Sequence, residues 1–193
     1  MTRKDFIKNY WRYYLILEQH VMAAENYVDF SEDNGETYSV GFMNCLNEIG
    51  SEVDVCMKAV CGFAENERKA ISDYCPIILE KYPIITTQKV IMREMEIIPF
   101  ENWTTEEASQ SLTWWKTYNN VKHGRNLNYK LANLKNVLYA LAGLYVLEMF
   151  YLKEISHYEI EPDIPDGESK LFMMENWKTK WESGNNTFFQ TYE

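Results

Sequence analysis

The chain has 193 residues, 46% of them apolar and 15% aromatic, which is a globular composition that excludes a disordered or low-complexity protein. Eight glycines and five prolines leave little turn material and favour long helices over many short strands. A net charge of −10 excludes a protein that coats nucleic acid along its whole surface. Four cysteines with no CxxC pair and no matching histidines read as reduced, buried thiols of a cytoplasmic protein. The length suits one helical domain over 1–193.

In chain order, Lys4 to Asn26 has helical spacing and a basic start. Its apolar run Tyr13 to Leu17, flanked by Arg12 and Glu18, is too short for an export segment. SEDNGET (31–37) is a loop by composition. Ser39 can cap a second helix whose apolar stripe is Phe42, Leu46, Ile49, Val53, Met57 and Val60. A third carries Ile71, Tyr74, Ile78 and Tyr82, with Pro76 expected to kink or split it. Between Pro83 and Pro99, β-branched and apolar residues predict a small β excursion near 86–98.

Thr104 to Glu107 reads as a capping box for the next helix, which is expected to stop at Gly124. A last long helix is expected from Asn128 to Lys153. Its stretch from Val137 to Leu152 is apolar all round except for Glu148, the pattern of a helix surrounded by others. Sixteen residues fall short of the roughly 20 of a membrane span, so no membrane association is expected. EPDIPDGES (161–169) reads as a solvated loop and LFMMENWKTKW as a short terminal helix. Phe188, Phe189 and Tyr192 in the tail need an apolar surface. The prediction is an all-α bundle of five to six helices with that one β excursion.

The chemistry concentrates in WWKTYNNVKHGR, residues 114–125. On a helix, Trp115, Asn119 and His123 share one side, with Lys116 close to it. Trp114, Tyr118 and Val121 form the neighbouring side and can face the bundle. The surrounding segment Ala108–Leu147 contains no Asp or Glu and carries Lys116, Lys122, Arg125, Lys130 and Lys135. That +5 leaves −15 on the rest of the chain. Such a band can hold a phosphate locally while the remainder repels polyanions. A histidine can move a proton to or from a ribose hydroxyl or leaving oxygen. Lys116, Lys122 and Arg125 can hold the phosphate, and Asn119 can fix the ring or bind a phosphate oxygen. Helix-end charge placement explains the same cations without any chemistry. His20 and His157 lie far off with no ligand-like spacing, so no metal or cofactor is expected.

At YNNVKH the chain resembles the HEPN superfamily of helical "higher eukaryote and prokaryote nucleotide-binding" domains. That family's signature is an arginine, a polar residue, a few positions and a histidine. Asn119 and His123 stand in this relation, and the resemblance extends over about 104–155 through the long apolar helix that follows. Tyr118 stands where the family places its arginine. The resemblance implies a HEPN-like bundle, a homodimer that brings two motifs together, and RNA as the partner. Members with the intact motif are commonly metal-independent endoribonucleases of toxin–antitoxin and phage-defence systems, which adds an antitoxin-type protein as a partner. Members without it tend to be non-catalytic RNA-binding or interaction modules. Under the resemblance His123 is the general acid or base, Asn119 positions it, and Lys116, Lys122 and Arg125 contact phosphate. Two readings stand side by side: an RNA binder or weak ribonuclease, and a non-enzymatic helical interaction or dimerisation protein. If the fold places position 118 beside His123, Tyr118→Arg, which restores the signature arginine, is expected to raise cleavage.

Overall fold

The computed structural model describes residues 1–156, 165–183 and 186–192, with only the backbone for 178–183 and 186–192. It is mostly helical, with a three-stranded and a two-stranded antiparallel sheet among the described residues. Helix α1 (Arg3–Phe6) passes through a π turn (Ile7–Trp11) into α2 (Arg12–Ala23). Then come α3 (Val40–Cys61), α4 (Ile71–Lys81), strands β1 (Val90–Met92) and β2 (Met95–Ile97), and α5 (Ala108–Ser111). Next are α6 (Thr113–Asn128) and α7 (Leu134–Ser156). Strands β3 (Met173–Met174), β4 (Trp177–Ser183) and β5 (Asn186–Tyr192) follow.

The strongest local signals act as read. Ser39 Oγ accepts from the Phe42 N–H and starts α3, and all six residues of its predicted stripe are buried. In α7 every residue from Ala140 to Leu152 is buried, Glu148 included, so this helix forms the centre of the bundle with α3 packed along it. No helix among the described residues is long and apolar enough to cross a membrane.

Other expectations need correction. Pro76 sits inside α4 without splitting it. The capping box at 104–107 does not form: Thr104 N–H donates to Ser111 Oγ, and Glu107, not Thr104, precedes α5. The chain then breaks at Leu112 (φ −87°, ψ 87°), so α6 begins afresh at Thr113. Gly124 (φ −142°, ψ 46°) leaves helical geometry, so the first part of α6 ends there as expected, and a second short helical stretch carries on to Asn128. The Asn128 side-chain amide crosses the kink and donates to the Asn120 and Gly124 carbonyls at 3.0 Å each, holding the last turn in place. The last long helix starts six residues later than expected, because Asn133 Oδ1 accepts from the Asn136 N–H and caps it.

The excursion near 86–98 is the β1–β2 hairpin, turning on Arg93 at φ 55°. β3 adds to the other side of β1, giving the order β2–β1–β3. The predicted terminal helix is therefore strand. Asn176 takes φ 53°, which no helix interior accommodates, and the segments on either side pair as β3 with β1 and β4 with β5. His157, residues 161–164 of the predicted loop, and the side chains of Phe188, Phe189 and Tyr192 lie outside the described residues.

The loop before β3 is tied to the first helix by a buried carboxylate. Glu18 accepts from the Tyr14 hydroxyl (2.8 Å), the Ser169 hydroxyl, and the Lys170 (3.0 Å) and Leu171 (3.2 Å) N–H groups. Trp11 Nε1–H donates to the Gly167 carbonyl, and Arg3 pairs with Asp166 at 2.8 Å. A buried carboxylate with its lone pairs this fully occupied is a fastening, not a liability.

Candidate functional site

What places the 114–125 segment is the docking of α6 between α3 and α7. Trp114, Tyr118 and Val121 face the bundle as their spacing requires. Two glycines on the facing helices admit the large rings. A Cβ at Gly50 of α3 would lie 2.4 Å from the Tyr118 ring, and one at Gly143 of α7 would lie 2.7 Å from the Trp114 ring. Trp114 Nε1–H finishes the seat by donating to the Pro99 carbonyl at 2.6 Å. Trp115, expected on the presented side, is also buried, with its ring edge-on to Trp114 and tilted against Tyr118. The aromatic half of the motif is therefore a docking surface, and it turns the polar half outward.

That polar half lines two neighbouring cavities along the seam between α3 and α6. The larger, about 940 Å³, has Lys122, His123 and Arg125 on one side. Opposite them, Asn44, Asn47 and Ser51 from α3 form an uncharged wall, and the lining contains no carboxylate. The smaller, about 550 Å³, is lined by Lys69, Lys116, Asn119 and Lys122, with Asp54 the one carboxylate in its lining. Asp54 accepts from the Tyr74 hydroxyl and pairs with Lys58, each at 2.8 Å, so its charge is already answered.

The five predicted residues are thus near one seam but not in one chamber. Lys122, His123 and Arg125 share the first cavity; Lys116 and Asn119 share the second; Lys122 lines both. Asn119 Nδ2 donates to the Trp115 carbonyl one turn back, at 3.0 Å, which leaves its second amide N–H and its amide oxygen for other work. His123 is exposed, and among the described residues no hydrogen bond reaches its ring. Lys122 is pinned: its Nζ donates to the Tyr118 hydroxyl at 2.9 Å and sits 5.1 Å from that ring's centre. Tyr118 itself is 2% exposed, with the body of its ring on Gly50 and its hydroxyl reaching Lys122 at the seam, so an arginine there would lay its flexible stem where a flat ring now fits and set its head beside the Lys122 ammonium.

Sequence reasoning missed Asn44, Asn47, Ser51 and Lys69, which come from α3 and the α3–α4 connection. A polar stripe at i, i+3 and i+7 on α3, opposite its apolar stripe, is the signal that could have found the first three. Among the described residues no group of three or more His, Cys, Asp or Glu is arranged to hold a metal. No family model matches the chain, and neither a curated protein nor a solved structure matches it.

Proposed function

We propose that this protein binds RNA through the α3–α6 seam, as a HEPN-like, RNA-directed module in which His123 is a weak or conditional proton-transfer group. The observation that carries the reading is the seam's charge: Lys116, Lys122 and Arg125, with Lys69 that is paired with Glu67, converge on two adjoining cavities whose one carboxylate is also paired, in a protein of net charge −10. Such a local reversal of sign concentrates an anion there. Binding is favoured over cleavage because a general base works best when a second group holds its ring. His123 has no such partner among the described residues, and Asn119 lines the other cavity.

The test is fluorescence anisotropy with single-stranded RNA in EDTA, next to an incubation with total and transfer RNA. Binding should weaken with salt, by about one phosphate's worth less in Lys122→Ala and in Arg125→Ala. His123→Ala should keep most of the binding and lose any cleavage. Absence of binding at low salt overturns the reading.

One observation favours the second reading, a non-enzymatic dimerisation module. Leu127 at the mouth of the larger cavity is 92% exposed, with Leu131 and Val40 also exposed. A homodimer closing over Leu127, or an antitoxin-type protein docking there, would cover it. Light scattering on the wild type and Leu127→Glu distinguishes this: a dimer that the glutamate dissociates supports it, and a monomer at micromolar concentration refutes it.

A further inference from the structure

The seam is divided, and the division carries information about the length of its ligand. Ser51, Tyr118 and Lys122 line both cavities, so they form a ridge between them. The ammonium on that ridge is held by donating to the Tyr118 hydroxyl at 2.9 Å, at the outer end of that ring. Arg125 stands on one side of the ridge, and Lys69 and Lys116 on the other. Lys69 is outside the 114–125 motif. It is placed by Glu67 at 3.0 Å and by the Phe63 ring, whose centre is 4.1 Å from its ammonium.

We infer that the two cavities are consecutive phosphate subsites for one short single strand, with Lys122 bridging them and with Lys69 and Lys116 holding the second phosphate. The inference rests on the reading of the seam as a phosphate site. Three features support a short segment over a long polymer. The cations fall into two groups separated by a ridge, where a long tract would need an unbroken stripe. The larger cavity has an uncharged amide and hydroxyl wall, which suits the ribose and base between phosphates rather than another phosphate. Beyond the acid-free band the chain carries −15, so each further phosphate meets repulsion.

The experiment measures the salt dependence of binding, by titration calorimetry, for inorganic phosphate, uridine 5′-monophosphate, a 5′-phosphorylated uridine dinucleotide and a 5′-phosphorylated uridine octanucleotide. For single strands each neutralised phosphate contributes about 0.7 to the slope of log K against log salt. The dinucleotide should exceed the monophosphate by about one such step, and the octanucleotide should add at most about one more. Lys69→Ala and Lys116→Ala should bring the dinucleotide slope down to that of the monophosphate, with circular dichroism melts showing that the variants are folded. Arg125→Ala should weaken every probe. If Lys69→Ala and Lys116→Ala leave the dinucleotide unchanged, or weaken all probes alike, the second subsite is overturned while phosphate binding stands. A slope that keeps rising to the octanucleotide overturns the two-site limit. If no probe binds at low salt, the phosphate reading falls, and this inference with it. Phosphate alone binding as tightly as the dinucleotide marks a site for a free anion and refutes the strand.

Discussion

Replacing Glu148 should stabilise the protein, and by an amount that grows with pH. Glu148 is fully buried in the middle of α7, and both its carboxyl oxygens lack a hydrogen-bond partner. Burial pushes its pKa well above the ordinary 4.5, and the charge of Glu52 on α3 pushes it further in the same direction. Its other titratable neighbours are Cys56 on α3 and Tyr10 in the π turn. A raised acid is protonated in the folded chain and ionised in the unfolded one at any pH between the two values. The native state then holds the extra proton, so stability falls as pH rises above 4.5 and keeps falling until the folded-state value is reached. The slope is about 1.4 kcal/mol per pH unit. Below 4.5 only the cost of the orphaned polar group remains, about 1–3 kcal/mol.

Glu148→Leu removes both costs; Glu148→Gln removes only the titration. Urea unfolding across pH 4–8 should therefore place the Leu variant about 1–3 kcal/mol above wild type at the acid end, with the gap widening as pH rises above 4.5 until the folded-state value is passed. The Gln variant should begin near wild type and diverge with the same slope. In thermal melts each kcal/mol should appear as about 2–4 °C for a chain of this size. A gap that does not change with pH, or a Leu variant less stable than wild type, would refute the reasoning.

Gly50→Ala should destabilise by about 1–3 kcal/mol, because its Cβ would meet the Tyr118 ring at 2.4 Å and a rigid ring between two helices cannot turn away; chemical denaturation checks it. Tyr118→Arg should lower stability, since a flexible charged chain replaces a ring seated on Gly50 and brings a second cation beside Lys122; a thermal melt checks it. Glu18→Ala leaves the Lys170 and Leu171 N–H groups without their acceptor and should cost about 2–5 kcal/mol, seen as a lower urea midpoint and faster amide exchange at 170–171. Asn128→Ala frees the Asn120 and Gly124 carbonyls and should cost about 1 kcal/mol, with a weakened contribution of Arg125 to anion binding.

Several elements were legible in the sequence because their causes are local. The α3 stripe repeats at three or four residues, its serine cap lies three residues from the N–H it serves, and the apolar run of α7 can only be a buried helix. The β excursion announced itself through branched residues between two prolines. The amphipathic split of α6 was equally visible, since Trp114, Tyr118 and Val121 lie on one side of any helix.

What tertiary structure alone decided are matters of distance between residues far apart in the chain. Gly50 and Gly143 look like ordinary helix interruptions until two rings from α6 are set against them. Residues 173–174 become strand because β1 offers them an edge, and 177–183 because 186–192 pairs with them, although the composition suits a helix about as well. Two buried glutamates of similar local setting, Glu18 and Glu148, part ways because only one meets a loop bearing free N–H groups. The motif itself was read as one cluster of five residues. Packing divides it at Lys122, because the ring whose hydroxyl holds that lysine is wedged into α3 and raises a ridge through what the linear spacing presented as a single face.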